Sequence, residues 1–453
     1  MAGLAGTLGL PKLARALPRS PDVVIIGAGS AGIGAARALI AAGKSVVVIE
    51  AADRIGGRAY TDTTTFGVPY DQGCSWLQGP RSLPHVALAQ DLGFTLTDHA
   101  NAREAFFVDG QKADYKELNR YHRTFDATQS AVAEAHDVSV ASVAPDMPYA
   151  GTVQAWMAMG NAVDMADLST ADINAYIDYD VDYLVREGLG TLVFHLGRDL
   201  PVKLNTAATS IDWSGPGVRV ETTDGTIEAE TCIVTVSTGV LGSGAIRFTP
   251  DLPVETQEAI ADVPMGLLTK IALQFDGERF GLGPNDWLSY ALPEDRPETT
   301  SLEACYFVTF PSDLDLAVGF VGGQFAWDLA DAGADTAIDY ALNAFAGAVG
   351  NDAKSHFVNG HMSDWHANPL TQGAYAAAKP GRHAAREELK TPLGDKVFFA
   401  GEALGVPLAA LCSGAHLSGE VTAARVLARL NGDSCGSCDA RGATKGRLRE
   451  VSQ

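Results

Sequence analysis

Residues 22–50 read DVVIIGAGSAGIGAARALIAAGKSVVVIE. Asp22–Ile26 is a short Val/Ile run, the pattern of a strand buried on both faces in a parallel sheet. Gly27-Ala-Gly29-Ser-Ala-Gly32 follows, then an Ala-rich helical run, Ala31–Ala42, closed by Gly43. Lys44–Ile49 is a second Val/Ile strand, and it ends in Glu50. Strand, glycine turn, helix, strand and acid make one complete βαβ unit. A lone Gly-x-Gly-x-x-Gly says little, but here every contextual requirement of a dinucleotide site is met. Gly27 permits the sharp turn, Gly29 the approach of a pyrophosphate, and Gly32 the close packing of helix on strand. The free N–H groups of the helix start face the diphosphate, and Glu50 is placed to accept from a ribose hydroxyl. Its carboxylate would repel a 2′-phosphate.

Outward from this unit, further pieces of the same domain are expected. Val218–Val220, Ile227–Ala229 and Cys232–Val236 read as strands around the turn Asp224-Gly225. Val397–Ala400 reads as a strand leading into Gly401-Glu402, and His416–Leu430 as a helix starting near Ser413 or Gly414. Between them lie blocks of another character. Residues 80–195 are helical in pattern, and residues 285–389 mix strand-like runs (Ala304–Phe310, Ala317–Val321) with an Ala-rich helix, Thr336–Val349. The expected class is α/β: a discontinuous Rossmann-like domain (residues 21–79, 196–284 and 390–432) threaded through an α+β substrate-binding domain (80–195 and 285–389). Residues 433–453 form a polar, basic tail. Residues 1–20 read equally as a disordered leader or as the trailing part of an export signal, so the compartment is cytoplasmic or periplasmic.

Composition narrows the function. The 453 residues hold 33 Lys and Arg against 55 Asp and Glu, a net charge of −22, which argues against nucleic acid as a partner. With 46% hydrophobic and 19% charged residues, the chain has enough apolar side chains for a core. No run reaches the ~18 apolar residues of a membrane span, so a soluble protein is expected. Six cysteines do not make a disulfide framework, and Cys435-x-x-Cys438 alone, without partner ligands, makes no metal site. Hydrolase signatures, His-Glu-x-x-His and Gly-x-Ser-x-Gly, are absent.

Arg54-Ile-Gly56-Gly57-Arg58 follows the second strand directly. Two glycines give backbone access, and Arg58 offers a fork for phosphate oxygens. At this point the chain resembles the flavin-containing amine oxidases. Further blocks resemble the same family in its order: Asp71-Gln-Gly73-Cys-Ser-Trp76-Leu-Gln78-Gly79; Cys232–Leu241 with Ile246–Pro250; Met265-Gly266-Leu-Leu-Thr-Lys270; Trp365–Pro369 with Gly373-Ala-Tyr375; Phe399-Ala-Gly401-Glu402; and Gly414–Gly419.

The resemblance implies the amine oxidase architecture, unrelated to that of p-cresol hydroxylase, with FAD as cofactor. It implies cofactor contacts at Gly27, Gly29, Ser30, Ala31, Gly32, Glu50, Ala51, Gly57 and Arg58 in the first unit. Further contacts are implied at Gly73, Cys74, Ser75, Trp76, Ala208, Trp365, Gly401, Glu402, Gly414 and Ala415. It gives Lys270 a role beside the flavin in reoxidation, and makes Tyr375 one wall of an aromatic cage for the substrate nitrogen. Trp76, Gln78, Trp365 and Leu411 would border the substrate.

The chain departs from the family pattern in three places. Leu411 stands where a second cage ring is common, Gln78 replaces a His or acidic residue, and Ala374 replaces the cysteine that tethers FAD covalently in mitochondrial-type monoamine oxidases. Non-covalent FAD, an aliphatic amine or polyamine substrate and O2 as acceptor are therefore expected. An aromatic monoamine and an L-amino acid are the alternatives; behind them stand a desaturase on the same FAD fold, which Lys270 and Tyr375 argue against, and a non-catalytic flavin-fold binding protein. The amino acid would need an arginine for its carboxylate, for which Arg81 and Arg103 are candidates.

Overall fold

The structure is a computed structural model that describes residues 20–177, 179, 181–293 and 302–432. The leader and the tail, with Cys435 and Cys438, lie outside the described residues.

Val23–Ile26 is the third strand of a five-stranded parallel sheet, in the order Val202–Lys203, Val46–Ile49, Val23–Ile26, Thr231–Val234, Val397–Phe399. Alternate side chains serve two cores, as the two-residue period of a strand requires. Val23, Ile25, Val46, Val48 and Ile233 pack under the helices Ser30–Ala41 and Cys412–Leu430. Val24, Ile26, Val47, Ile49, Cys232 and Val234 face the other way. There they meet a four-stranded sheet, in the order Gly225–Ala229, Val218–Thr222, Ala208–Asp212, Arg247–Thr249, and the helix Val254–Asp262. Full burial is worth about 1.5–3 kcal/mol per Val or Ile side chain, which is why this run admits no polar residue.

The two helices on the first face touch through missing side chains. A Cβ on Gly34 would come 2.5 Å from the His416 carbonyl oxygen, and one on Gly419 would come 2.0 Å from that of Ala31. Only hydrogen fits at either place.

A second body is built on a seven-stranded sheet. Its order is Phe357–Met362, Leu268–Phe275, Leu316–Gly322, Tyr306–Thr309, Asp286–Tyr290, Glu104–Val108, Gln111–Lys112. Every pairing is antiparallel except that of Asp286–Tyr290 with Glu104–Val108. The helix Ala334–Val349 covers one face. Trp76, Trp156 and Trp287 pack with Tyr306 and Phe320 on the other.

This sheet corrects one boundary. Leu268–Phe275 was expected with residues 196–284 in the first domain, yet it pairs with Leu316–Gly322 and Phe357–Met362. An apolar run identifies a strand but not its partners, and only long-range pairing decides the sheet. The boundary at 79/80 is likewise crossed, because Trp76–Gln78 and Leu96–Asp98 both pair with Asp182–Val185. The helix Ala385–Glu388 packs in the first core, although it precedes residue 390. Among the described residues, no helix is long and apolar enough to cross a membrane.

Candidate active site

The glycine loop behaves as its spacing demands. Gly27 has φ +104°, and a Cβ there would strike Thr235 Oγ1 at 2.5 Å. On Gly32 a Cβ would lie 2.0 Å from the Gly27 carbonyl oxygen. Above Gly29 a Cβ would meet nothing within 4 Å, so the loop presents open backbone at that point. Ser30 and Ala31 open the helix Ser30–Ala41, whose start has no side-chain cap. Its free N–H groups are therefore available to an anion.

Glu50 works differently from the expectation. It is 9% exposed, and its two oxygens accept from the N–H groups of Ala28 at 2.7 Å and Ala52 at 2.9 Å. The carboxylate thus stiffens the glycine loop itself, beside Ala51. Asn205 and Thr206 donate their N–H groups to the carbonyls of Ala52 and Glu50, which brings the approach to Ala208 alongside. Gly57, at φ +58°, packs on the loop, and a Cβ there would lie 3.3 Å from the Gly29 Cα.

Arg58 is also redirected. Its Nη1 donates to Glu402 Oε1 at 3.0 Å and to the Ala374 carbonyl at 2.7 Å, not out to solvent. Glu402 Oε1 accepts as well from the Ala376 N–H at 3.1 Å, while Glu402 Oε2 is buried with no partner. The Ser413 hydroxyl is orphaned in the same way. Buried oxygens without partners cost free energy unless a ligand supplies them. An open glycine loop, an uncapped helix start and a spare carboxylate oxygen are the fittings a flavin dinucleotide needs. Gly401 precedes this turn and donates its N–H to Ser418 Oγ at 3.2 Å. Gly414 and Ala415 stand in the first turn of the last helix, where a Cβ on Gly414 would lie 1.8 Å from the Leu408 carbonyl oxygen.

Lys270 is 3% exposed. Its ammonium donates to the Asp71 carbonyl at 3.1 Å, to Ser75 Oγ at 2.5 Å and to the Gly73 carbonyl. Its three donors are thus spent on one strap, residues 71–75. The rings of Trp76 and Phe320 lie 5.9 and 5.5 Å away, within cation–π range. Burial pulls its pKa down from 10.5 to about 8, against the raising effect of the Asp71 charge.

The strap is fixed from three sides. The Asp71 carboxylate accepts from Thr61 Oγ1 at 2.5 Å and from the N–H groups of Leu189 and Gly190, at the start of the helix Leu189–Gly197. Trp365 Nε1 donates to the Gln72 carbonyl at 2.9 Å. A Cβ on Gly73 would lie 1.6 Å from the Arg58 carbonyl oxygen. Cys74 N–H donates to that same oxygen at 3.2 Å, so Arg58 joins the Lys270 strap to the Glu402 turn.

Tyr375 sits where Tyr375–Ala376 pairs with Met265–Gly266, and its hydroxyl donates to the Gly160 carbonyl at 3.0 Å. Trp76 stacks on Trp287, with ring centres 5.8 Å apart, and donates through Nε1 to His99 Nδ1 at 3.2 Å. Gln78 is on the same strand, opposite Asp182. Leu411 caps the last helix with its backbone. The structure therefore connects Lys270, Gly73, Ser75, Trp76, Trp365, Arg58, Glu402 and the Tyr375 strand pair by hydrogen bonds and ring contacts; Leu411 and Gln78 are both half-buried, and no such side-chain contact of theirs joins this set. His99 and Arg386 went unnoticed in the sequence, because nothing local marks a histidine or arginine as buried. Arg81 and Arg103 are engaged elsewhere, on the Tyr183 hydroxyl at 2.7 Å and on Asp286 at 3.1 Å.

A parallel sheet with a glycine loop at its carboxyl edge, joined to a buried lysine under an aromatic body, suits a flavin-dependent oxidoreductase. Residues 30–143 and 154–427 match the model of the flavin containing amine oxidoreductases, and the chain belongs to that family. It is an oxidoreductase acting on amines, with a flavin as its cofactor. It is 28% identical to polyamine oxidase 4 of Oryza sativa subsp. japonica, over 91% of this chain and 90% of that one. Identity to polyamine oxidase 2 of Arabidopsis thaliana is also 28%, over 89% and 88%. Lysine-specific histone demethylase 2 of Homo sapiens is 26% identical over 90% of this chain but only 53% of its own length. Among solved structures, a triple mutant of putrescine oxidase redesigned in cofactor binding superposes with a TM-score of 0.75, at 22% identity, over 90% of this chain and 99% of that one.

Replacing Glu402 with Gln should weaken retention of added flavin about tenfold or more, since the ion pair with Arg58 is reduced to a hydrogen bond from a cation to a neutral amide. Fluorescence titration of the flavin-free protein would read it, and an unchanged Kd would remove Glu402 from the cofactor site.

Proposed function

We propose that the protein binds FAD non-covalently and oxidises an aliphatic amine, with a polyamine favoured, to an imine that hydrolyses to an aldehyde, while O2 becomes H2O2. The flavin supplies the two-electron chemistry at the carbon beside nitrogen. The observation that carries this reading is Lys270, a buried ammonium fixed by the Asp71–Ser75 strap between Trp76 and Phe320. A fixed cation in a water-poor site stabilises negative charge developing on the acceptor side. Ala374 has no thiol and lends only its carbonyl to Arg58, which supports a cofactor held without a covalent tether. Gly27, Gly29, Gly32 and the helix start at Ser30 would hold the diphosphate, and Glu402 Oε2 a hydroxyl of the sugar chain.

A cleft lined by Tyr70, Trp76, Leu184, Arg186, Val318 and Phe320 would receive the substrate. The net charge of −22 raises the local concentration of polycations, and the polyamine oxidases among the relatives point the same way. Arg186 is the observation behind a second reading, an L-amino acid: its Nη1 donates to the Ser312 carbonyl, and the rest of the guanidinium in the cleft suits a carboxylate.

A peroxide-coupled screen of putrescine, spermidine, spermine, tyramine, phenylethylamine and L-amino acids separates these. Peroxide from polyamines is expected, whereas turnover of leucine and of no amine would overturn the reading. Changing Leu411 to Tyr should then shift preference toward small monoamines, about tenfold in relative kcat/KM, by adding a ring opposite Tyr375. An unaltered amine profile would show that Leu411 is not a cage wall.

A further inference from the structure

Cys74 and Cys412 come from distant parts of the chain and meet. Cys74 belongs to the strap that holds Lys270, and Cys412 is the first residue of the helix Cys412–Leu430. Both side chains pack against the same apolar group, Ile33, Ala59, Val193 and Leu196, and against Leu77, Val86 and Leu192 beside it, which sets the two thiols together; each interacts with the other, and both are free and half-buried. Cys412 Sγ also lies 3.4 Å from Ser30 Oγ, at the start of the glycine-loop helix. The other two described cysteines, Cys232 and Cys305, are fully buried among apolar side chains.

The surroundings of the pair are those of a reactive thiol. His85 is 1% exposed, and its ring finds no nitrogen or oxygen partner; it faces the Cys412 sulfur. Its edge meets the ring of His416, 4.9 Å between centres. His416, one turn along the same helix, has Glu420 Oε1 at 3.6 Å. The hydrogen bond from Cys74, together with His85 and against the cost of burial, holds Cys412 well below the usual thiol range. The same hydrogen bond and burial push Cys74 up. A thiolate at a helix start beside an imidazole, with a second thiol in contact, is the arrangement of an attacking and a resolving cysteine. Among the described residues no group of three His, Cys, Asp or Glu side chains is placed to hold a metal ion.

We propose that Cys74 and Cys412 are a redox-active thiol pair that a hydroperoxide converts to a disulfide, clamping the Lys270 strap to the start of the last helix. The Cys412 thiolate attacks one peroxide oxygen, the O–O bond breaks, and hydroxide leaves and takes a proton, giving a sulfenic acid. Cys74, passing its proton toward His85, attacks the Cys412 sulfur; the S–O bond breaks, and water leaves. Two thiols and one H2O2 thus give one disulfide and two waters. That turnover itself supplies the peroxide rests on the oxidase reading above.

The test adds hydrogen peroxide, so it stands apart from that reading. The full-length holoenzyme is treated with a few equivalents, free thiols are alkylated, and peptides are mapped, which separates this pair from Cys435 and Cys438. A Cys74–Cys412 linkage reversible by dithiothreitol, with a shift of the flavin absorbance band, is expected. Both cysteines alkylated, or Cys412 over-oxidised beside a free Cys74, would overturn the proposal. In Cys74→Ser, Cys412 should be labelled by dimedone as the sulfenic acid, whereas labelling of Cys74 in Cys412→Ser and not the reverse would overturn the order of attack. Replacing His85 with Asn should slow linkage about tenfold, and an unchanged rate would remove His85 from the step. Should a variant not fold, the map of the parental protein decides the linkage alone.

Discussion

A Lys270→Met protein should be reduced by its amine within a few-fold of the parental rate and should return to the oxidised, yellow form in air about a hundredfold more slowly. The side chains are of similar length, so the strap keeps its packing while its buried cation is lost. The Asp71 and Gly73 carbonyls and the Ser75 hydroxyl lose their donor together. The pH profile gives a second signature. A lysine brought down to about 8 is charged on the acid side and neutral on the alkaline side. Reoxidation that depends on the cation should therefore fall as pH rises through about 8, and the Met variant should lack that step. Stopped-flow traces of the two half-reactions read both effects. Equal slowing of the two, or a profile shared by parent and variant, would remove the role from Lys270.

The largest loss of stability is expected from Arg386→Met. Arg386 is 2% exposed and donates to Asp172 through Nε and Nη2 at 2.7 Å each. It also donates to the carbonyls of Ala403 at 2.6 Å and Ala376 at 2.9 Å. Burial alone would push the Asp172 carboxyl up, but hydrogen bonds from His383 and Arg386 hold it well below the usual carboxylate range. Removing the guanidinium leaves an ionised, buried carboxylate with half its partners gone, a cost of about 3–5 kcal/mol. Thermal or urea unfolding at neutral pH should show it. The loss should extend to cofactor retention, because Ala376 follows Tyr375 and Ala403 follows Glu402. A double replacement with Asp172→Asn should restore part of the stability, since the stranded charge goes with it. A midpoint unchanged from the parent would mean that the pair is not the keystone its geometry describes.

What could be read from the chain followed from local rules. The βαβ unit at 22–50 is set by a Val/Ile run, by glycines whose missing Cβ atoms the packing demands, and by a helical period, all within 29 consecutive residues. Strand and helix positions at 218–236, 397–400 and 416–430 were legible for the same reason. Lys270 stood out because a lysine inside an apolar strand needs partners, but those partners lie about 200 residues away and no period names them. The sheet that receives Leu268–Phe275 was hidden likewise. Glu50 stood out through its place in the motif, but its bonds to the Ala28 and Ala52 N–H groups did not, because a motif records that an acid is needed and not which N–H groups it meets. Arg58 was aimed at phosphate and found on Glu402. Arg386, in His383-Ala-Ala-Arg-Glu-Glu-Leu-Lys390, looks like an ordinary exposed helix from its neighbours, and only tertiary structure reveals it as buried.

The contact between the helices Ser30–Ala41 and Cys412–Leu430 has a consequence for how the molecule is made. The glycine loop leaves the ribosome long before the surface that covers its helix, because Ser30–Ala41 precedes Cys412–Leu430 by most of the described chain. The strand beside Val23–Ile26 on one side begins at Thr231, and the strand beyond that at Val397. Such long loops must close before their contacts repay the entropy lost, so assembly of the sheet is slow and concerted. A chain stopped short of the last helix would carry a naked apolar face on its first one, and would be recognised as unfinished by chaperones and proteases. Acquisition of the flavin is in this sense a checkpoint on synthesis: the pocket that receives it exists only once the glycine-loop unit and the segment from Val397 to Leu430 have found each other.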